Sequence, residues 1–149
     1  IENELSIYIN NILFFCTKNF IDFPEFNIKQ GEIKTKTTIE DNRVVFNVNY
    51  PLSIEKENNT YQLEKFENIE IPVRLGIVYD SAKEIMDEQM FNKEICLSCI
   101  LKLSLRNNLR IDMNNMNNSK ENTVIFTITD KDSYIKGKEF KFNFANKYG

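Results

Sequence analysis

Apolar residues near the start of the chain recur every three or four positions, which is the spacing of one face of an α-helix. The residues that share this spacing are Leu5, Tyr8, Ile9, Ile12, Phe15 and Cys16. The pattern predicts a helix from residue 2 to about residue 19, with Cys16 on its inward stripe. Pro24 then disfavours a helical residue before it, so we expect the helix to have ended by that point.

A period of two follows and is typical of strands with one buried face. It covers residues 33–39 and 44–50, which flank a short polar turn and therefore predict a β-hairpin. Pro51 cannot donate to a ladder, so we expect an edge or a bulge there. One or two more strands are predicted within residues 61–73. These strands form an antiparallel meander of three to five strands packed on the first helix.

The helical spacing returns over residues 74–91 and about 94–106, and the first of these helices carries an acidic outward face that we interpret as solvated. Asparagine at 107–108 can take the left-handed helix cap. Three short strands are predicted after it, centred on Ile111, Phe126 and Phe142, with a polar connection over residues 114–122. A solvated turn region is expected to begin at Asp130 and to run to Gly137.

The order of these elements places the chain in the α+β class. We expect an N-terminal helix packed on an antiparallel β-meander, then two helices and three further antiparallel strands, arranged in two layers. At 149 residues the size favours a single domain, 1–149. The first residue is Ile1 rather than methionine, so we expect a segment upstream of it to be missing. That segment could be a signal sequence, a membrane anchor or an artificial boundary.

Composition and charge exclude several classes of function. The chain has 19 basic and 22 acidic residues and a net charge of −3, so it lacks the positive surface that nucleic acid requires. It has no histidine, which excludes Ser-His-Asp and Cys-His catalysis. No glycine-rich phosphate loop is present, and no pair of carboxylates stands out. Asp130 and Asp132 are spaced for a cation, but a hairpin turn explains them better. We therefore predict no catalytic, cofactor-binding or metal site, and no cofactor.

The three cysteines are the remaining chemistry. Cys96 and Cys99 form a CxxC motif near the predicted start of a helix, where a thiolate is stabilised, but no strand immediately precedes them. A closed zinc site would need a carboxylate, since three cysteines and no histidine supply too few ligands. The spacing also fits ordinary buried cysteines. The interpretation we favour is a structural disulfide that joins Cys16 to Cys96 or Cys99.

Four short phrases resemble a known group of proteins. They are Asn49-Tyr50-Pro51-Leu52, Val73-Arg74-Leu75-Gly76, Cys96-Leu97-Ser98-Cys99 and Phe144-Ala145-Asn146-Lys147-Tyr148. Together they resemble uncharacterised exported domains of small-genome archaeal proteins that carry a single N-terminal membrane helix, for which a pilin-like subunit is one possible form. The resemblance implies that the segment before Ile1 is the membrane helix and that this domain lies outside the cytoplasm. It implies no catalytic residue.

The leading hypothesis is therefore a non-enzymatic, extracytoplasmic structural or interaction domain of a membrane-anchored or surface-assembly protein. Its partners would be other proteins or copies of itself at the cell surface. Contact with the membrane would come only through a segment outside this chain. Two alternatives stay open. One is a thiol-disulfide oxidoreductase with Cys96 as nucleophile and Cys99 as resolving thiol. The other is a small-ligand-binding module, which would need a cavity between the helices and the sheet.

Overall fold

The computed structural model describes residues 1–91, 95–118 and 121–148. Within them the chain has three α-helices and two antiparallel sheets, one of four strands and one of three, which confirms the α+β class. The chain divides into two compact units, Ile1–Ile39 with Val44–Ile71 and Glu40–Arg43 with Pro72–Gly149. A compact unit need not fold independently, so the single-domain organisation stays a prediction.

The first unit contains one helix and the four-stranded sheet. Its elements in chain order are α1 (Glu2–Thr17), a 3₁₀ turn (Lys18–Phe20), β1 (Asn27–Gln30), β2 (Lys34–Ile39), β3 (Val44–Lys56) and β4 (Asn59–Ile71). β3 is the central strand: β4 pairs along one edge, and β1 and β2 follow one another along the other. The predicted hairpin is confirmed, with Ile39 opposite Val44. β1 was not predicted, since its four residues are too few to show a period.

Pro51 lies at a bulge inside the central strand, which is one of the two positions predicted for it. The register between β3 and β4 shifts between Asn49 and Leu52, and this shift accommodates the missing N–H of proline. On the other edge of β3, the Gly31 N–H donates to the Pro51 carbonyl at 2.7 Å. A Cβ on residue 31 would lie 3.2 Å from the Pro51 side chain, so this close approach favours glycine.

Helix α1 covers the open edge of β2 with polar side chains. Glu2 Oε1 accepts the N–H of Ile39 at 2.7 Å, and Ser6 Oγ accepts the N–H of Thr37 at 3.1 Å. These contacts satisfy strand donors that have no ladder partner. They also fix the rotation of the helix. The side chains turned toward the sheet are Leu5, Ser6, Ile9, Asn10, Leu13 and Thr17.

The predicted inward stripe of α1 is therefore wrong in part. Cys16, Tyr8, Ile12 and Phe15 are exposed, although their spacing placed them on the core side. The reason is that the free N–H groups of β2 require Ser6 to face the strand, and burying Ser6 rotates those four side chains outward. No helix in the described parts of the chain is long and apolar enough to cross a membrane.

The second unit contains two helices and a three-stranded meander. Its elements are α2 (Leu75–Phe91), α3 (Leu97–Asn107), β5 (Leu109–Asn118), β6 (Glu121–Ile135) and β7 (Lys138–Tyr148), with β6 in the centre of the sheet. Asn108 has a φ of 53° and forms the predicted left-handed cap of α3. The predicted polar connection over 114–122 is instead strand at 114–118 and 121–122, paired across the hairpin. Residues 119–120 lie outside the described part.

The core of the second unit lies between its two helices and one face of its sheet. The buried apolar residues are Val78, Ala82, Ile85, Ile100, Leu103, Leu109, Val124, Phe126 and Ile128. Three of them, Val124, Phe126 and Ile128, alternate along β6, because successive strand residues point to opposite faces. Phe126 also stacks on Phe144 of β7 with ring centroids 4.9 Å apart. This packing fixes α2 and α3 side by side and thereby positions the cysteines.

Candidate functional site

Cys96 and Cys99 form a disulfide with each other, while Cys16 is a free, exposed thiol. The structure therefore replaces the expected bridge from Cys16 with a bridge inside the CxxC motif. A loop of four residues stabilises the folded chain by only about 2 kcal/mol in the chain-entropy account, against about 4 kcal/mol for the long loop expected from sequence. The stability gained by closing so short a loop is therefore a weak explanation for the Cys96–Cys99 disulfide.

Cys96 is the N-cap residue of α3. Its carbonyl accepts the N–H groups of Cys99 and Ile100, each at 3.1 Å, and its Sγ accepts the Cys99 N–H at 3.3 Å. The first N–H groups of a helix have no partner within the helix, so the sulfur occupies the position of a capping oxygen. In the reduced protein, the positive end of the helix dipole and this hydrogen bond would favour a thiolate at Cys96.

Glu88 of α2 lies beside the two cysteines. Its carboxylate oxygen and the two Sγ atoms are all within 4.8 Å of one another; Glu88 and Cys96 are half-buried, and Cys99 is exposed. A carboxylate at this distance repels a thiolate, so it opposes the effect of the helix N-terminus. Glu88 also supplies the carboxylate that a zinc site would need in addition to the cysteines. Sequence reasoning missed Glu88, because it was assigned to the solvated acidic face of its helix.

A cavity of about 240 Å³ opens next to these three residues. The cavity lies between α2 and α3. The ligand-binding hypothesis required a cavity between the helices and the sheet instead. The lining residues are Glu84, Ile85, Glu88, Gln89, Cys96, Cys99, Ile100, Lys102, Leu103 and Arg106. Arg106 is paired with Glu84 at 2.6 Å across its entrance. The cavity thus combines an apolar floor with charged groups of both signs.

Comparison with known proteins found no matching family model, no matching curated protein and no matching solved structure. No residue role can therefore be carried over from another protein. Function has to be inferred from the geometry and chemistry of this chain, and the resemblance to archaeal exported domains stays a hypothesis.

A buried ionic cluster forms a second group of charged residues. Asp130 is 0% exposed, and it accepts hydrogen bonds from Arg74 Nε at 3.1 Å, from Arg74 Nη2, from Ser133 Oγ and from the Asp132 N–H at 3.1 Å. Arg74 Nη2 also donates to the Asn107 carbonyl at 3.0 Å. The cluster therefore joins β6 to the start of α2 and the end of α3. Every contact is internal, so we assign it a structural role.

The cluster corrects the sequence interpretation of residues 130–133. They are not a solvated turn but a bulge near the end of β6, and the turn is confined to residues 136–137. Asp130 pairs with Phe140 and Tyr134 with Glu139, and the three residues between have no partner on β7. Burial alone would raise the pKa of Asp130, but the hydrogen bonds from Arg74, Ser133 and the Asp132 N–H hold it below its usual value. The hydrogen bond from Arg74 to Asp130 also raises the pKa of Arg74.

The outward side of α1 exposes five large apolar residues. They are Ile7 (47%), Tyr8 (58%), Ile12 (38%), Phe14 (55%) and Phe15 (70%), and we call them the outer face of α1. The residue between them on this side, Asn11, is polar and exposed. Soluble chains rarely expose so many large apolar side chains together unless the surface binds something.

Strand β4 exposes a second apolar row. Its members are Tyr61, Leu63, Phe66, Ile69 and Ile71, which are between 36% and 59% exposed. Leu63 lies opposite Leu52, and Ile69 lies opposite Phe46, so the row continues the face on which the buried residues of β3 lie. β4 is also an edge strand of its sheet. Because its members are apolar and aromatic, this row is suited to packing against another surface and not to catalysis or metal binding.

Proposed function

We propose that this chain is a non-enzymatic, extracytoplasmic interaction domain of a membrane-anchored or surface-assembly protein, and that it associates through the outer face of α1. The observation that carries the proposal is the exposure of Tyr8, Ile12 and Phe15 on one side of a helix whose other side is held against a strand. Their spacing of four and three residues is that of a helix–helix seam.

The charge of α1 favours a protein partner over a lipid surface. The helix has Glu2 and Glu4 in its first turn and no basic residue in its last turn. A helix that lies on a membrane normally carries Lys and Arg, which bind anionic headgroups. Acidic residues beside an apolar face are instead compatible with packing against another helix. A second copy of this chain supplies such a helix, and a surface assembly would use it repeatedly.

The Cys96–Cys99 disulfide supports the proposed location. Disulfides persist in oxidising compartments outside the cytoplasm, whereas cytoplasmic reductants keep most thiols reduced. The apolar row of β4 adds further surface for assembly contacts. Neither the disulfide nor the apolar row of β4 identifies a partner, so the experiment tests self-association directly.

We expect the purified protein to self-associate as its concentration rises, and the double variant Tyr8→Lys/Phe15→Lys to dissociate. Burying each side chain contributes about 1.5–3 kcal/mol at most, and part of that is spent on association entropy, so the double variant should raise the dissociation constant at least about tenfold. Sedimentation velocity over a concentration series measures this. Leu105→Lys places the same charge at an apolar position of α3 that is 75% exposed and lies outside the proposed interface, so it should leave association nearly unchanged. A wild type that stays monomeric at every concentration would contradict the proposal.

A thiol-disulfide oxidoreductase is the second candidate, and the position of Cys96 favours it. The Cys96 thiolate would attack a substrate disulfide and release one substrate thiol. The Cys99 thiol would then attack the mixed disulfide and release the second, leaving the substrate reduced and the chain in its disulfide form. The Cys96 Sγ accepts a backbone N–H at the start of a helix, as an activated thiolate would.

This second function requires Cys96 to be more reactive than an ordinary thiol. Cys16 is exposed on the same chain and serves as an internal reference. In the reduced protein at pH 6, an activated Cys96 should be alkylated at least about tenfold faster than Cys16, since an ordinary thiol with a pKa of about 8.5 is almost wholly protonated there. Peptide mapping of a labelling time course measures both rates in one sample. Equal rates would exclude the oxidoreductase.

A further inference from the structure

The three side chains beside the cavity have the composition of an incomplete metal site. Cys96 is the N-cap of α3, Cys99 lies in the first turn of that helix, and Glu88 comes from α2. Their ligand atoms lie within 4.8 Å of one another. The chain has three cysteines and no histidine, so a metal site within it needs a carboxylate ligand. Packing of the two helices brings one to the pair. We propose that, once the disulfide is reduced, Cys96, Cys99 and Glu88 bind a zinc ion or a similar thiophilic divalent cation.

The geometry requires only small movements. Zinc–sulfur bonds of about 2.3 Å and a zinc–oxygen bond of about 2.1 Å in a tetrahedron place the two sulfurs about 3.8 Å apart and the oxygen about 3.6 Å from each. The Cα atoms of Cys96 and Cys99 are 5.2 Å apart, so rotation of the side chains can separate the sulfurs without moving the backbone. The carboxylate needs to approach by at most about 1 Å, within the reach of a change in glutamate rotamer.

The surroundings suit thiolate ligands. The Cys99 N–H donates to Cys96 Sγ at 3.3 Å, and hydrogen bonds of this kind hold a ligand in place and stabilise its charge. Two thiolates and one carboxylate around a divalent cation leave a net charge of −1. Of the two cations that line the adjoining cavity, Arg106 is paired with Glu84, and Lys102 offsets this charge. Soft sulfur ligands favour zinc over calcium or magnesium, which prefer oxygen.

The fourth position faces the cavity of about 240 Å³ and would hold water. Three protein ligands with one open position distinguish this arrangement from a closed structural site with four. The disulfide form cannot bind the cation, because its sulfurs carry no negative charge. A dithiol reductant converts it by giving up two electrons and two protons, which yields two cysteine thiols and the oxidised dithiol. Zinc then displaces the two thiol protons.

The experiment uses Co²⁺ as a spectroscopic probe in the full chain. All proteins carry Cys16→Ser, so that the exposed thiol contributes nothing. After reduction and removal of the reductant, we expect one equivalent of Co²⁺ to give a thiolate-to-cobalt charge-transfer band and the visible absorption of a tetrahedral ion. Zn²⁺ should remove both. The oxidised protein should show neither. This readout does not depend on self-association through α1, so the two proposals fail separately.

Glu88→Gln tests the carboxylate and Asp80→Asn is its control, since Asp80 is an exposed carboxylate of the same helix that does not line the cavity. We expect E88Q to weaken Zn²⁺ binding at least about tenfold in competition with a chromogenic chelator, and D80N to bind like the parent. Cys99→Ser should abolish most of the charge-transfer band. The proposal is overturned if the reduced parent gives no thiolate-to-cobalt band, or if E88Q binds Zn²⁺ as tightly as D80N. Far-UV circular dichroism checks that each variant is folded.

Discussion

Asp130→Ala should lower the free energy of unfolding by about 3 kcal/mol, a large part of the 5–15 kcal/mol of a typical domain. Removing one partner of a buried ion pair typically costs about 3–5 kcal/mol, because the other charge is left buried without compensation. We expect the lower end of that range. The Arg74 side chain is 19% exposed, and Asp132 Oδ2 remains 3.0 Å from its Nη2. The variant also removes the acceptor of the Ser133 hydroxyl, which is 1% exposed, and the acceptor of the Asp132 N–H.

Urea unfolding followed by circular dichroism measures the loss, and Asp132→Asn is the matched control. Asp132 contacts the same guanidinium, but its side chain is 47% exposed, and exposed ion pairs contribute about 0–1 kcal/mol. A loss below 1 kcal/mol in D130A, or equal losses in the two variants, would contradict the assignment of Asp130 as the centre of the cluster.

The same residue should govern part of the acid sensitivity. The folded-state pKa of Asp130 lies below its unfolded value, so its contribution to stability is present at neutral pH and above about pH 4. The contribution is lost as the pH falls through the folded-state pKa. Between about pH 5 and pH 2, D130A should therefore lose stability less steeply with falling pH than the wild type does.

Phe126→Ala should lower the free energy of unfolding by about 3–5 kcal/mol. Phe126 is 0% exposed on the central strand of its sheet, and its ring stacks on Phe144. The substitution removes apolar surface and leaves a cavity that neighbouring strands, tied by ladder hydrogen bonds on both edges, cannot close. The same urea titration measures it.

Two further substitutions separate cavity formation from simple loss of an apolar group. Phe126→Leu keeps most of the volume and should cost about 1 kcal/mol. Leu105→Ala deletes a comparable apolar group from α3 at a position that is 75% exposed, and it should stay within about 0.5 kcal/mol of the wild type. If L105A matched F126A, the core assigned to the second unit would be wrong.

Local structure followed from the sequence wherever one physical requirement repeated along the chain. The period of two over 33–39 and 44–50 predicted the β2–β3 hairpin, because alternation is the pattern of strands with one buried face. The cap at Asn108 followed equally directly, since asparagine tolerates a positive φ. In the same way, the α+β class follows from the order of helical and alternating segments.

Where a residue's contact partner is distant in sequence, the pattern of hydrophobic and polar positions led to a wrong prediction or to none. The spacing of Tyr8, Ile12 and Phe15 identified an apolar face on α1, but the N–H groups of Thr37 and Ile39 decided that a different face meets the sheet. Asp130 had the composition of a turn, because nothing near it in sequence indicates that Arg74 lies against it.

The sequence by itself predicted the three helices and most of the strands, although not β1 or the strand segments at 114–118 and 130–135. It also excluded histidine chemistry and placed the CxxC motif near the start of a helix. Only the tertiary structure decided that Cys96 bonds to Cys99 and not to Cys16, and that Glu88 joins them. The physical reason is that secondary structure depends on neighbours within a few residues, which a periodic pattern records. A site of this kind depends instead on the packing of α2 against α3, and the rotation of each helix about its axis is fixed by contacts that no local pattern contains.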